Sequence, residues 1–243
     1  MSDYNRNVTA GPLGQAAGQT TVAVDAGLRA YMLRVYNYMA GGLALSGIVA
    51  YFVSSNEALM ASLFGSGLGL VIALAPFAFI LVLSFGIQKV SPQTAQMLFW
   101  AFAATMGLSL APVLLAYTGA SVARVFFTTA ATFGAMSLYG YTTKRNLAQF
   151  SSFLMMGLIG IVIASIVNIF LGSAGLSFVI SVVGVLVFVG LTAHDTQMIR
   201  EWYVEGDDAG QMTKKAVYGA LNLYLDFINL FMLLVQFFGQ RRD

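Results

Sequence analysis

Residues 218–238 read YGALNLYLDFINLFMLLVQFF. This stretch is long and apolar enough to cross a bilayer, which takes about 20 residues. It nevertheless carries a carboxylate, Asp226, about 13 Å from its start at the helical rise per residue. Asn222 and Asn229 lie on the same helical face as Asp226. Because a charge at this depth is costly, we expect Asp226 to face protein or water.

The composition of the chain indicates a membrane protein. Of its 243 residues, 58% are hydrophobic and only 9% are charged, whereas soluble domains carry about 25% charged residues. The formal net charge of +2 is small and its basic residues are scattered, so nucleic-acid binding is not indicated. The absence of cysteine excludes disulfides and iron–sulfur ligation. We expect the lipid bilayer to be the main partner of the chain.

The apolar residues are grouped into seven runs of membrane-spanning length, at about 35–53, 67–87, 95–116, 121–141, 152–171, 176–197 and 217–238. The sequence therefore predicts an all-α, polytopic membrane protein with a bundle of seven transmembrane helices. Residues 31–243 are expected to form this single domain. Residues 1–30 are polar and too hydrophilic for a signal peptide, and we expect them to form a disordered tail.

The distribution of basic residues predicts the orientation of the bundle. With seven crossings, nine Lys and Arg residues lie on the side of the N-terminus: Arg6, Arg29, Arg34, Lys89, Lys144, Arg145, Arg200, Lys214 and Lys215. The other side has Arg124, Arg241 and Arg242. By the positive-inside rule, the N-terminus is cytoplasmic and the C-terminus is outside a bacterial cytoplasmic membrane.

Two acidic residues, Asp195 and Asp226, are the only ones within the predicted spans. They belong to the sixth and seventh predicted helices, which run antiparallel, and both fall in the cytoplasmic half of the membrane. The two carboxyl groups can therefore meet if these helices touch. Thr192, one turn before Asp195, adds to a polar face opposite Asn222, Asp226 and Asn229.

A pair of buried carboxyl groups has two possible roles. Two carboxylates in a low-dielectric setting cannot both ionise cheaply, so we expect them to share one proton and tie their helices together. After that proton is lost, the charges repel or are met by a cation, and Ca²⁺ prefers such oxygen ligands. Asp195 and Asp226 are thus a candidate proton-operated latch and a transient Ca²⁺ site. Alternatively, the protonated pair only holds the two helices together.

His194 is the single histidine of the chain and directly precedes Asp195. Neighbouring residues on a helix point about 100° apart, so we expect the imidazole to face another helix or the lipid headgroups rather than Asp195. A zinc site needs more His or Cys ligands than this sequence contains. No G-x-S-x-G motif of a serine hydrolase is present, and no tightly bound cofactor is expected.

Several motifs together resemble the Bax inhibitor-1 family, and most closely its bacterial inner-membrane members. They are NLYLDFINLF at 222–231, HDTQ at 194–197, YGYTTKRNL at 139–147 and NIF at 168–170. The resemblance, which covers roughly residues 30–238, implies a seven-helix bundle that leaks Ca²⁺ in a pH-dependent way. It also implies that Asp195 and Asp226 are the pH sensor.

The resemblance leaves one position less well matched. Some members have a basic residue at the cytoplasmic end of the second helix that latches onto the acid of the sixth helix, and Lys89 is nearest to that place here. Some members also carry an acid within the second helix, whereas residues 67–87 contain none.

Three functions remain open on the sequence. The leading one is a pH-sensitive, Ca²⁺-permeable channel without enzymatic activity. A second is a non-conducting protein that modulates a membrane protease or a stress or cell-death pathway, which the resemblance allows. A third is an intramembrane aspartyl protease, which also needs two aspartates on adjacent helices. Asp226 follows Leu-Tyr-Leu rather than the Gly-x-Gly of such proteases, which argues against the third.

Overall fold

Eight α-helices make up the computed structural model, which describes residues 12–65 and 67–242, with side chains from residue 25 onward. The helices are α1 (Pro12–Ser54), α2 (Glu57–Phe64), α3 (Leu68–Gly86), α4 (Pro92–Ala116), α5 (Gly119–Thr142), α6 (Ser151–Leu171), α7 (Ala174–Glu201) and α8 (Ala209–Phe238). A short 3₁₀ turn, Leu147–Phe150, precedes α6. The only β-pairing in these ranges is an isolated bridge between Tyr117 and Arg241. The predicted all-α class is confirmed.

Local side-chain caps explain where several helices begin. Ser91 accepts a hydrogen bond from the Thr94 backbone N–H at the start of α4, and Asp208 accepts one from Gln211 at the start of α8. Such caps satisfy backbone donors that have no partner within the helix. At the end of α6, Gly172 adopts a positive φ of 59°, which a glycine accommodates without strain.

Six helical segments of the described chain are long and apolar enough to cross a membrane. They are Asp25–Ser54, Leu68–Gly86, Pro92–Ala116, Leu147–Leu171, Ala174–Glu201 and Ala209–Phe238. Helix α5 has the length but not the composition, because it contains hydroxyl residues that are buried against its neighbours, such as Thr129 and Ser137. The predicted count of seven spans is therefore not confirmed.

Helix α8, the last predicted span, lies at the centre of the bundle. In its most apolar window 56% of residues are buried, against 11% for α3 and α6, which face outward. Helices α1, α4, α5 and α7 all pack against it. The central position of α8 explains how a helix with Asp226 can be accommodated: its surroundings are protein.

Helix α5 runs antiparallel to α8 along most of that central helix. At the start of α5, Ser121 accepts a hydrogen bond of 2.8 Å from the backbone N–H of Gln240, just beyond the end of α8. At the other end of α5, the carbonyl of Tyr141 accepts a hydrogen bond from Arg200. Arg200 belongs to the segment of α7 that packs on the early part of α8, where Ile199 lies against Gly219. Helix α5 thus extends along α8 from about Gly219 to its C-terminal end, which is about 30 Å at the helical rise per residue and enough to cross a bilayer.

Helix α1 begins within the predicted tail. It starts at Pro12, so residues 12–30 are helical, and residues 1–11 of that tail lie outside the described residues. The portion from Asp25 to Ser54 is the part that qualifies as a span.

A proline inside α3 is compensated by a neighbouring helix. Pro76 has no N–H and cannot bond the carbonyl of residue 72 in its own helix. The hydroxyl of Ser109 on α4 donates to that carbonyl of Ile72 at 2.7 Å. The missing hydrogen bond is thereby replaced by a contact that joins α3 to α4.

Candidate functional site

Asp226 is buried at the centre of the bundle without a full set of hydrogen bonds. The residue is 5% exposed. Its Oδ2 atom has no hydrogen-bond partner among the residues that the structure describes. A buried polar atom without a partner costs about 1–3 kcal/mol. Such a group inside a membrane helix is a functional candidate rather than a stabilising one.

Asp195 lies near the end of α7 and is paired with His194. Its Oδ1 atom is 2.8 Å from Nδ1 of the imidazole, and both side chains are mostly buried. The expectation that His194 points away from Asp195 is therefore wrong. The helix fixes only the directions of the two Cβ atoms, and rotation about the side-chain bonds brings the ring and the carboxyl together.

The two aspartates lie on neighbouring helices, because α7 and α8 pack against each other. None of the hydrogen bonds in the described ranges joins the two carboxyl groups, so the expected proton-sharing contact is not formed here. Asp195 uses His194 instead, and one oxygen of Asp226 remains free. The role of the pair as a pH sensor stays a prediction.

The supporting polar residues occupy different surroundings. Thr192 is fully buried, but its hydroxyl donates to the carbonyl of Phe188 in its own helix at 2.7 Å. Asn222 is half-buried on α8, one turn before Asp226. Asn229 is exposed, and its amide donates to the carbonyl of Leu225 at 2.8 Å. None of these bonds reaches a carboxyl group.

Lys89 lies in the turn that follows α3, and it is exposed. It takes part in none of the ion pairs of the described chain, where Asp195 is paired with His194. The same turn is held from α8 by Lys214, whose Nζ donates to the carbonyl of Gln88 at 3.1 Å. The latch contact between Lys89 and Asp195 is thus not formed in this structure.

A cavity of about 780 Å³ is lined on α8 by residues from Leu225, the neighbour of Asp226, to Gln236. It lies between α3, α4, α6, α7 and α8, and both Asn229 and Gln236 line it. The amide oxygen of Gln236 accepts a hydrogen bond of 3.2 Å from Ser181 on α7. The polar stripe of α8 therefore continues from Asp226 along this cavity towards the end of the helix.

Two chains of buried hydroxyl groups connect the helices around this site, and sequence reasoning missed both. Tyr36 on α1 bonds Ser137 on α5 at 2.6 Å, and Ser137 bonds Thr196 on α7 at 3.0 Å. Ser46 on α1 bonds Tyr224 on α8 at 2.6 Å. The available signal was the presence of hydroxyl residues within apolar spans, which must find partners there.

The end of α7 next to Asp195 is firmly attached to the connection between α5 and α6. Gln197 accepts a hydrogen bond from the backbone N–H of Leu147 at 2.7 Å and donates to the carbonyl of Arg145 at 2.8 Å. Arg200 donates to the carbonyl of Tyr141. The residues of the HDTQ and YGYTTKRNL motifs therefore meet, and they fix the part of α7 that carries Asp195.

Among the described residues, Asp195 and Asp226 are the only acidic side chains that this site could offer as ligands to a cation. No three His, Cys, Asp or Glu side chains cluster in the described part of the chain. A Ca²⁺ ion prefers six to eight oxygen ligands. An ion here would have to complete its shell with amide or carbonyl oxygens and water, which fits transient rather than tight binding.

Comparison with known proteins identifies the family. The family described as "Inhibitor of apoptosis-promoting Bax1" matches residues 28–243. The inner membrane protein YbhL of Escherichia coli is 46% identical over 220 residues, which cover 89% of this chain and 94% of that protein. An uncharacterised protein of Rickettsia prowazekii is 46% identical over 245 residues and the full length of both chains. The chain is therefore a multi-pass inner membrane protein of the Bax inhibitor-1 family.

Proposed function

We propose that this protein is a pH-sensitive, Ca²⁺-permeable leak, with no resident cofactor and no enzymatic activity. The ionisation of Asp226 beside Asp195 would control whether the bundle conducts. The observation that carries the proposal is the buried Oδ2 atom of Asp226, which has no hydrogen-bond partner within the described residues.

The gating mechanism follows from the cost of burying an unpaired charge. A neutral carboxyl group is tolerable at the position of Asp226, whereas a carboxylate without a partner costs several kcal/mol. At low pH the carboxyl holds its proton, and α7 and α8 stay packed. When the proton leaves, the carboxylate is repelled by Asp195 and draws in water or a cation. We therefore expect the leak to open as the pH rises.

The proposed ion path uses the cavity lined by Asn229 and Gln236. Amide oxygens at these positions can replace part of the hydration shell of an ion. Helix α3 contributes no acid to this cavity. Neither Asp226 nor Asp195 lines the cavity, but Leu225, the neighbour of Asp226, does. Any preference for divalent cations would then rest on these two acids beyond the lining, since carboxylates are ligands that Ca²⁺ prefers.

The proposed topology has seven crossings, with the N-terminus in the cytoplasm and the C-terminus outside. The extension of α5 along α8 supports the seventh crossing, since its ends contact Gln240 and Arg200. The basic residues Lys144, Arg145 and Arg200 lie at the end of the bundle that the positive-inside rule assigns to the cytoplasm.

The test is Ca²⁺ flux into proteoliposomes that contain the full chain, measured over a pH series. The wild type should conduct more as the pH rises. Asp226→Asn should flatten the response, because the amide cannot ionise, and Asp195→Asn should move it to lower pH, because the repelling charge is gone. Glu205→Gln is the matched control, since Glu205 is an exposed acid of the loop after α7. The proposal would be contradicted if the wild-type flux did not depend on pH, or if the two aspartate variants kept the wild-type dependence of flux on pH.

A further inference from the structure

A second cavity, of about 500 Å³, lies on a different face of α8, between α1, α4, α5 and α8. Its volume is within the range of roughly 300–1,000 Å³ that is typical of ligand sites. The walls are mainly apolar, with Leu43, Val122, Phe126 and Ile228 among the lining residues. A ligand of this cavity would therefore be largely hydrocarbon.

This cavity is open towards the hydrocarbon phase of the membrane. Helices α1 and α5 are joined at a different level by the hydrogen bond between Tyr36 and Ser137, but a gap lies between them beside this cavity. The gap between them forms a shallower hollow that includes Ala44 and Ile48 and shares Gly47 and Phe126 with the cavity. A lipid chain can consequently enter sideways from the bilayer.

The shape of the cavity is an elongated slot. On α1 its lining extends from Leu43 to Ser55, which corresponds to about 18 Å at the helical rise per residue. One end lies in the middle of the bundle beside Phe227, and the other lies at the helix ends beside Arg242. Such a slot fits one extended acyl chain better than a compact ligand.

The polar end of the slot carries the guanidinium of Arg242, which has no counterion among the residues that the structure describes. Arg242 is held there by its backbone N–H, which donates to the carbonyl of Ala116 at 3.0 Å. Its guanidinium forms no ion pair within residues 25–65 and 67–242. Ser54 and Ser55 line the same end. Guanidinium groups bind phosphate in a bidentate manner, so this end complements an anionic headgroup.

We propose that the slot binds one acyl chain of an anionic phospholipid from the bilayer, with the lipid phosphate paired to Arg242. The site is separate from Asp226 and does not depend on the proposed leak. It would hold a lipid against α8, the helix on which the bundle is built.

The test uses the full-length protein in proteoliposomes that contain phosphatidylglycerol with a photoreactive diazirine on one acyl chain. After irradiation, mass spectrometry identifies the labelled peptides. We expect labels in α1, α5 and α8 that excess unmodified phosphatidylglycerol removes, and that phosphatidylcholine or a free fatty acid does not. Labels spread equally over α3 and α6, or equal competition by phosphatidylcholine or fatty acid, would overturn the proposal.

Two pairs of variants test separately the part of the site that binds the acyl chain and the part that binds the lipid headgroup. Gly47→Leu fills the slot, and a Cβ atom at Gly47 meets no atom within 4 Å, so the fold should tolerate it. Gly160→Leu is the control, because it has equally open surroundings on α6. Arg242→Gln should lower the labelling about fivefold. Its control is Arg241→Gln, whose guanidinium lies over the ring of Tyr117 and not in the slot.

The slot is tested a second time from its opposite wall. Ala123→Leu on α5 narrows the same cavity, and it replaces Gly47→Leu if that variant does not fold. Loss of the labels in a folded slot-filling variant, with labels retained in Gly160→Leu, supports the proposal. Wild-type labelling in a folded slot-filling variant, or an equal loss in Arg241→Gln and Arg242→Gln, overturns it.

Discussion

The Nδ1 atom of His194 lies 2.8 Å from Oδ1 of Asp195, although the two residues are consecutive on α7. The pair places the single imidazole of the chain beside the carboxyl group that the proposed mechanism makes the repelling neighbour of Asp226. When protonated, His194 offsets the charge of Asp195 and weakens the repulsion that an ionised Asp226 would meet. The histidine is therefore placed to adjust the response of the aspartates to pH.

Replacing His194 should move the pH response of the leak in a direction set by the charge of the new side chain. His194→Gln removes the counterion of Asp195, so ionised Asp226 becomes less favourable and opening should need a pH higher by roughly one unit. His194→Lys keeps a positive charge at every relevant pH and should move opening to lower pH. The measurement is the midpoint of Ca²⁺ flux against pH in proteoliposomes. If the two variants had the same midpoint of flux against pH, the charge at position 194 would have no effect on the response.

The hydrogen bond between Ser46 and Tyr224 should stabilise the bundle, and the two single variants should not be equivalent. The Ser46 hydroxyl also donates a hydrogen bond of 2.6 Å to the carbonyl of Ala103. One hydroxyl group therefore joins α1, α4 and α8. Ser46→Ala leaves the buried Tyr224 hydroxyl without a partner and should cost about 1–3 kcal/mol. Tyr224→Phe loses a single bond and should cost about 0.5–1.5 kcal/mol. The free energy of unfolding in mixed micelles measures both.

The double variant provides the internal check for this pair. Ser46→Ala with Tyr224→Phe should cost less than the sum of the single changes, since no buried donor is left over. Tyr38→Phe is the matched control, because the Tyr38 hydroxyl makes no hydrogen bond within the described ranges, and its cost should be close to zero. Strict additivity of the two changes would show that the bond contributes nothing.

The close approach of α5 and α7 should depend on Gly140. A Cβ atom at this position would collide with the carbonyl oxygen of Ala193, and backbone cannot move as a flexible side chain can. Gly140→Ala should therefore separate the helices and cost about 1–3 kcal/mol. Gly134→Ala, on the same helix but with no atom within 4 Å, should be neutral or slightly stabilising. Thermal unfolding in detergent compares the two, and equal melting temperatures would contradict the expected contact.

The central features of the fold could be predicted because they depend on simple patterns. The apolar run that contains Asp226 predicts a membrane helix, and its acid predicts a buried environment. The structure gives that helix the central position, with Asp226 5% exposed. The family could be identified because its motifs follow one another over most of the chain.

Other features could not be predicted because they depend on side-chain rotation and on neighbours. The pairing of His194 with Asp195 results from side-chain torsions, which helical periodicity does not determine. The hydroxyl groups of α5 lower its mean hydropathy, so composition alone does not identify it as a span. Their protein partners, such as Thr196 for Ser137, are not part of such an average. The start of α1 at Pro12 likewise does not follow from the polar composition of residues 12–30.

The number of crossings can be decided with single cysteines, since the natural chain contains none. Gly119→Cys and Lys144→Cys are exposed positions on either side of α5. If α5 crosses the membrane, a membrane-impermeant maleimide added to intact spheroplasts should label Gly119→Cys and should reach Lys144→Cys only after permeabilisation. Equal labelling of the two in intact cells would mean that α5 does not cross.

Gln240→Cys controls this experiment. Its backbone carbonyl accepts a hydrogen bond of 2.9 Å from Thr118, so the C-terminal end and the connection before α5 lie together. Gln240→Cys and Gly119→Cys should therefore be labelled alike, whatever the orientation. Labelling of both from outside also tests the positive-inside assignment, because Arg241 and Arg242 belong to this end, where basic residues are fewest. If both react only after permeabilisation while Lys144→Cys reacts in intact cells, the bundle has seven crossings with the opposite orientation.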